Sequence, residues 1–363
     1  MPSHPVKWYS SAMPGAPALR NVASDLIAVL DWCIVNGSAT TAVQSLVVAG
    51  NVATVTFASA HTFQTHQIIE INGVTGTLSA LNSQWRATGV TSLALTFAAT
   101  GIANGTAAGT ITCKTPAAGW QKAFSATNKA AYRSQDVTGT RLYVRVADAG
   151  TTSATLTGYE TMSDVDTGGH SFAPGNADWQ KSSSSTPAPW WVAGDARTVY
   201  FCSATNGVSS TTGASGHGFG DFEDLAPASQ HGFFLACGGT TATTSLISTG
   251  GTSNSVAARS HTLVPNAVAI LRASPAGQNG LYPNPADNGI QTVGPVMIEE
   301  GNNARGRLRG LLDCIPFRGP AIGTILDTSF AGYPGLALIV ASGGADPRAG
   351  GPSRGAIDLI GPW

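Results

Sequence analysis

Short runs of apolar and β-branched residues recur along this chain, and most end in glycine, serine, threonine or asparagine. In the clearest run, Leu142, Val144 and Val146 alternate with larger, more polar neighbours. Such alternation puts successive side chains on opposite faces of a strand. The pattern predicts a mainly β fold with a sandwich-like or barrel-like core. Further strands are expected at 198–202, 233–237, 267–271 and 336–340, and no fixed repeat period connects them.

One segment, residues 19–36, has helical rather than alternating spacing. Its apolar residues are Val22, Leu26, Ile27, Leu30 and Ile34. Asn21 or Ser24 can cap its start, and Gly37 follows the last turn, where a left-handed residue is expected. The sequence therefore predicts one N-terminal helix.

The composition divides the chain into three parts. Residues 1–40 are expected to form an extended arm and the helix, both packed on the core. Residues 41–115, with about six short strands, predict a small β-sandwich or barrel as an accessory module. Residues 116–363 predict a larger β-rich core domain with long loops at about 168–189 and 203–231.

Charge is scarce in this sequence. Only 11% of its 363 residues are charged, against about 25% in typical proteins, and the net charge is -1. Interface cores are depleted in charge, so a surface covered by neighbours is expected. The balanced charge argues against a nucleic-acid partner. No apolar run approaches a membrane span and no leader is visible, which predicts a protein made in the cytoplasm without membrane insertion.

Motifs that carry chemistry are missing from the sequence. It has no nucleophile elbow, phosphate loop, zinc-protease motif or C-x-x-C pair. The cysteines are scattered and odd in number, as expected of reduced thiols in a core. We therefore predict a protein that is not an enzyme and needs no cofactor. A glycoside hydrolase is the weakest alternative, with Asp164, Asp166, Asp221 and Glu223 as its only candidate carboxylates.

Acidic residues cluster at two places. Asp164 and Asp166, with Asp148 as a further candidate, form one cluster, and Asp221, Glu223 and Asp224 form the other. Calcium prefers six to eight oxygens from alternate loop positions, which these clusters do not supply alone. The favoured interpretation is that the aspartates cap turns, with a metal site at Asp164 and Asp166 as the alternative.

Aromatic residues and arginines are the candidate contact residues. Tryptophan and tyrosine bury a large area at low entropic cost, and they stack on sugar rings equally well. The aromatic candidates are Trp179, Trp190 and Trp191 around the polar loop, with Trp8, Tyr9 and Trp363 near the chain ends. The alternative is that these tryptophans pin the loop to its own core. Arg305, Arg307 and Arg309 alternate, so a strand would project them from one face, towards Glu299, Glu300 or a partner's acidic patch.

Several phrases resemble a family of bacteriophage virion structural proteins found among predicted tail genes. They are residues 6–10, 13–17, 119–122, 124–125, 127–134, 142–146, 158–168 and 356–363. Residues 41–115 are similar to small β-domains inserted in phage tail and fibre proteins, through 60–63, 71–74, 81–83 and 106–109. The resemblance implies a virion protein and gives no catalytic residues.

These observations lead to one main hypothesis and two alternatives. The main one is a tail or baseplate protein that assembles with copies of itself and with other virion proteins. The first alternative is a tail-tip protein that binds a host receptor or surface glycan. The second is a capsid decoration or connector protein.

Overall fold

The computed structural model describes residues 5–174, 177–204, 215–225, 232–237, 256–259, 268–274, 291–300, 303–315, 323–327, 335–345 and 352–363. Within them the chain is mainly β, with a short helical segment near the start and a 3-10 helix, Gly76–Leu81. The predicted fold class is therefore confirmed.

The strands are numbered in chain order. β1 is Lys7–Ser10. The next eight are β2 (Thr41–Ala42), β3 (Ser45–Ala49), β4 (Val52–Thr56), β5 (Ile68–Asn72), β6 (Gln84–Val90), β7 (Ala94–Ala98), β8 (Gly105–Thr106) and β9 (Thr112–Lys114). They are followed by β10 (Trp120–Ala126), β11 (Lys129–Ser134), β12 (Tyr143–Ala147), β13 (Ser153–Met162), β14 (Gly168–Phe172) and β15 (Asp178–Gln180).

The remaining strands belong to the C-terminal half. They are β16 (Trp190–Gly194), β17 (Thr198–Ser203), β18 (Ser215–Asp221), β19 (Glu223–Asp224), β20 (Phe233–Ala236), β21 (Val256–Arg259), β22 (Val268–Ser274), β23 (Gln291–Glu300), β24 (Asn303–Ile315), β25 (Ile325–Leu326), β26 (Ala337–Ala345) and β27 (Pro352–Asp358).

Helix α1 spans Asp25–Leu30 and continues as a π-helical turn, Asp31–Asn36. It begins later than the predicted residue 19, because Leu19 instead forms a β-bridge with Ala188. Ser24 occupies the N-cap position, as one of the two predicted cap residues, but its side chain makes no cap bond. A carboxylate far along the chain takes that role: Asp148 Oδ2 accepts the amides of Leu26 at 2.9 Å and Ile27 at 3.3 Å.

The end of this helical segment follows the prediction. Gly37 has φ 72°, and its amide donates to the Trp32 carbonyl at 2.9 Å. A Cβ at Gly37 would lie 2.2 Å from the Thr115 carbonyl oxygen. Both the backbone conformation and the close approach therefore require glycine.

Three sheets contain the strands of the described residues. The large sheet has the order β1-β16-β17-β18-β20-β21-β22-β23-β24-β27-β26-β25, with β19 paired to β24. A six-stranded sheet has the order β10-β11-β12-β13-β14, with β15 paired to β13. The third sheet, β2-β9-β5-β6-β7-β4-β3-β8, lies in residues 41–114.

The six-stranded sheet and the large sheet share one hydrophobic core. The Trp120 ring meets the Phe219 ring edge-on at 5.0 Å, and the Trp179 ring stacks on Phe201 at 5.3 Å. Trp179 also donates its indole N–H to the Ala236 carbonyl at 3.1 Å. Two sheets facing each other across aromatic side chains form a sandwich-like core.

The third sheet encloses a separate core, in which the Trp85 ring stacks on Phe97 at 4.8 Å. A short 3-10 helix, Gly76–Leu81, contributes Leu78 and Leu81 to it. The chain enters and leaves this unit at adjacent points, because the Ser38 amide donates to the Thr115 carbonyl at 2.9 Å. We call residues 41–115 the neutral module, for reasons of charge given below.

Both predicted long loops contain strands. Residues 168–189 include β14 and β15, and 203–231 include β18 and β19, although 205–214 and 226–231 lie outside the described residues. Lys181, which directly follows β15, shows why a polar sequence was taken for an exposed loop. It is polar but fully buried, and it donates to Asp148, to the Val22 carbonyl at 2.8 Å and to the Gly150 carbonyl at 2.6 Å.

Candidate binding cleft between two sheets

A cleft of about 870 Å³ opens between the six-stranded sheet and the large sheet. The first sheet contributes the turn before β12 and part of β13, and the second contributes β19, β24 and the turn between β16 and β17. Its lining includes Thr138, Thr140, Glu160, Arg197, Glu223 and Trp363. We call it the intersheet cleft.

The arginines predicted on one strand all lie on β24 and reach acidic groups beside the cleft. Arg305 is buried and pairs with Glu300 and with Asp224, the latter at 3.3 Å. Arg307 is exposed and pairs with Glu223, its direct cross-strand neighbour on β19. The expected bond to Glu300 is thus present, while Asp224 and Glu223 come from β19.

Arg309 anchors the floor of the cleft. Its guanidinium donates to Asp195 at 2.9 Å, to the Thr198 hydroxyl at 2.9 Å and to the main-chain oxygen of Trp363. Arg309 and Asp195 are both buried. A forked guanidinium holding several acceptors at once fixes the positions of all of them.

Asp221 holds together two other segments that line the cleft, the 138–140 turn and Arg197. This buried carboxylate accepts the Arg197 Nε–H at 2.8 Å and the Thr140 hydroxyl at 2.6 Å. A Cβ at Gly139 would lie 2.6 Å from the Asp221 carboxylate, so glycine allows the turn to approach this closely.

Glu160 on β13 is a further paired carboxylate in the cleft lining. It pairs with the buried Arg259 of β21 and with His170 at 3.2 Å. Each carboxylate described around the cleft therefore has an arginine partner, in the pairs Glu160–Arg259, Asp195–Arg309, Asp221–Arg197, Glu223–Arg307, Asp224–Arg305 and Glu300–Arg305. Arg305 serves both Asp224 and Glu300, so six carboxylates share five arginines. The cleft therefore offers many hydrogen-bonding groups and an excess of only about one negative charge.

Most of the aromatic contact candidates lie in the core of the chain itself. Trp179, Trp190 and Tyr9 have no exposed surface, and Trp8 is only 6% exposed. Trp190 donates its indole N–H to the Pro17 carbonyl at 3.0 Å, and Tyr9 donates its hydroxyl to the Pro116 carbonyl at 2.9 Å. The structure thus matches the alternative in which tryptophans pin the chain to its own core.

Trp191 and Trp363 are partly exposed, yet both pack against this chain. The Trp191 ring covers Gly323, and the Trp363 ring covers Gly310, where a Cβ would lie 2.1 Å from the indole. The Trp363 indole also donates to the Asp358 carbonyl at 2.9 Å. Of the aromatic candidates, Trp363 alone is among the cleft-lining residues described here.

Asp164 and Asp166 are held by protein donors. Asp164 Oδ1 accepts the amides of Asp166 and Thr167, both at 2.8 Å, and these bonds lower its pKa. Asp166 pairs with Lys129 at 2.8 Å and Arg145 at 2.6 Å, which lower the pKa of that carboxyl. The capping interpretation describes Asp164, and the described residues contain no group of three potential metal ligands.

Sequence reasoning found the β24 arginines and the acidic residues of β19, but it missed other parts of the cleft. Asp195, Arg197 and Glu160 stand alone in the sequence, with no motif around them. The one available signal was the turn 138–140, where threonines flank a glycine. Strand pairing across long sequence separations brings these residues together.

Comparison with known proteins adds no relative. No protein-family model matches the chain, and no curated protein matches it. The resemblance to phage virion proteins therefore stays a prediction. In the described part of the chain, no helix has the length and apolarity that crossing a bilayer requires.

Proposed function

We propose that this chain is a structural component of a bacteriophage virion, assembled into the tail or baseplate by contacts with its own copies and with other virion proteins. The observation that carries the proposal is the surface of the neutral module. Between residues 41 and 115 the charged residues are Glu70, Arg86 and Lys114 alone.

None of these three charged residues lies on strands β3, β4, β7 or β8 of the module. Arg86 donates to the His66 carbonyl at 3.0 Å and to the Leu359 carbonyl at 2.7 Å, so it joins the module to the core domain. Lys114 and Glu70 pair with each other at 3.8 Å on β9 and β5. The strands β3, β4, β7 and β8 therefore carry no charged side chain.

The solvent-facing residues of these strands are small or β-branched. Val47 on β3 is 37% exposed and Val52 on β4 is 44% exposed, and alanines and threonines surround them. Depletion of charge is typical of the centre of a protein interface and not of a free surface. Strand β8 forms one end of this sheet, where a neighbouring chain can extend the hydrogen bonding.

Phage assembly with charge-bearing variants tests the proposal. We expect Val47→Lys and Val52→Lys to leave the isolated protein folded, because both side chains already face solvent, but to reduce its incorporation into particles at least tenfold. Val137→Lys is the matched control, since Val137 is 77% exposed outside the module. Incorporation is measured by quantitative mass spectrometry of purified virions.

Two results would contradict the proposal: absence of the wild-type chain from purified virions, or normal incorporation of both module variants. A cryo-EM map of the particle then separates a tail position from the capsid decoration position.

A further inference from the structure

We infer that the intersheet cleft binds a neutral saccharide. The inference does not depend on the assembly surface, because the cleft is lined by the six-stranded and large sheets and not by the neutral module. The volume of about 870 Å³ lies in the range of clefts that hold small ligands.

The charge balance of the cleft selects the class of ligand. A site for a phosphate or a carboxylate needs cationic groups in excess, and a site for a cation needs carboxylates in excess. Here each paired carboxylate beside the cleft already has an arginine, as in Asp221–Arg197 and Glu223–Arg307, and only Arg305 is shared between two of them. A ligand with a net charge would have to break a pair, whereas hydroxyl groups can add to the free edges of both partners.

The exposed groups of the lining suit a polyhydroxylated ligand. Arg197 and Glu223 keep 30% and 40% of their side-chain surface exposed, although each is paired. The Thr161 hydroxyl adds a site that can donate and accept, and the Thr138 hydroxyl, which donates to Asp136 at 2.7 Å, adds an acceptor. A carboxylate, a guanidinium and hydroxyls together match alternating sugar hydroxyl groups.

An aromatic face completes the site. The partly exposed Trp363 lines the cleft, and its orientation is fixed by the bond from its indole to Asp358 and by its contact with Gly310. Because the ring is held in place before a ligand arrives, stacking a sugar ring on it costs little side-chain entropy. The pairing of β19 with β24 likewise holds Glu223 in place.

Binding is tested on the full-length chain with a panel of uncharged hexose and N-acetylhexosamine oligosaccharides, by saturation-transfer NMR and titration calorimetry. We expect Glu223→Ala to weaken binding about tenfold, as removal of one or two hydrogen bonds predicts. Glu223→Gln keeps an acceptor oxygen and should stay within about threefold of the wild type. Asp166→Ala is the matched control, an exposed carboxylate also paired with an arginine but outside the cleft lining.

A salt titration separates a neutral ligand from a charged one. Binding of a neutral saccharide should change little between 50 and 500 mM salt, on the order of twofold or less, because no ion pair forms. The inference is overturned if no saccharide of the panel binds, if Glu223→Ala and Asp166→Ala bind alike, or if Glu223→Gln weakens binding as much as Glu223→Ala does. Virion incorporation is measured separately, so loss of saccharide binding leaves the assembly proposal standing.

Discussion

The neutral module and the core domain differ in how many charged side chains they have and in where these lie. The module has almost no charged residues, and those it has lie at its junction or in a partly exposed pair. The core domain buries charged side chains and pairs them, as in Lys181–Asp148, Arg309–Asp195 and Arg305–Asp224. The difference teaches that the two regions place their few charges differently: the core domain uses them in buried pairs, and the module has almost none.

These buried ion pairs lie where segments that are distant in the sequence come together. Asp148 links the start of helix α1 to Lys181, and Arg309 links β24 to the turn after β16 and to Trp363. Buried ion pairs contribute little net stability over apolar residues, but breaking one is costly. Removing single charges should therefore affect the two regions very differently.

Lys181→Met should give the largest effect. Lys181 and Asp148 are both fully buried, so the variant leaves a buried carboxylate without its cation. We expect a loss of about 3–5 kcal/mol in the free energy of unfolding, measured by chemical denaturation.

The double variant Asp148→Asn with Lys181→Met is the control. Its side-chain oxygen still accepts from the helix amides but no longer carries a buried charge, so we expect recovery of at least half of the loss. If Lys181→Met lowers the free energy of unfolding by less than about 1 kcal/mol, the Lys181–Asp148 pair does not hold these segments together.

Acid should weaken the core domain through His217 on β18. This imidazole is buried beside the rings of Trp179 and Phe201, and burial lowers its pKa to about 3. The folded protein thus keeps it neutral where the unfolded chain protonates it, near the ordinary pKa of about 6.5. Its contribution to stability is complete above that pH and is lost as the pH falls towards 3.

A stability profile against pH measures this contribution. Between pH 6 and 4 we expect the wild type to lose up to about 1.4 kcal/mol per pH unit from this group, and His217→Phe to lose less over the same range. Burial also lowers the pKa values of His61 and His66 in the module, but both lie nearer to solvent. Parallel profiles for the wild type and His217→Phe would contradict the assignment.

Arg309→Lys should have a smaller effect. The ammonium keeps the charge opposite Asp195 but cannot reproduce the planar fork that also reaches Thr198 and Trp363. We expect a loss of about 1–2 kcal/mol in the free energy of unfolding. Arg307→Lys, a change on the same strand at a side chain that is 53% exposed, should cost less than about 0.5 kcal/mol. Equal costs at both positions would show that burial does not decide the role of these arginines.

The same contrast explains what the sequence could predict. Local patterns predicted strand β12 and the glycine at position 37, because each depends on neighbouring residues. The cap of helix α1 was missed because Asp148 lies 122 residues from Leu26. The tryptophans were ambiguous because an indole suits a core and an interface equally. In residues 168–189, a buried polar strand residue such as Gln180 on β15 made a strand segment look like a loop.

Lys114→Met should have the smallest effect and tests the module directly. The Lys114–Glu70 pair spans 3.8 Å, and both side chains are partly exposed, so solvent already screens it. Glu70 keeps a bond from the Asn72 side chain at 2.7 Å after the lysine is lost. We expect a change below about 1 kcal/mol in chemical denaturation, with little dependence on salt. A loss above about 2 kcal/mol would mean that the module also relies on paired charges, and the contrast between the two regions would fail.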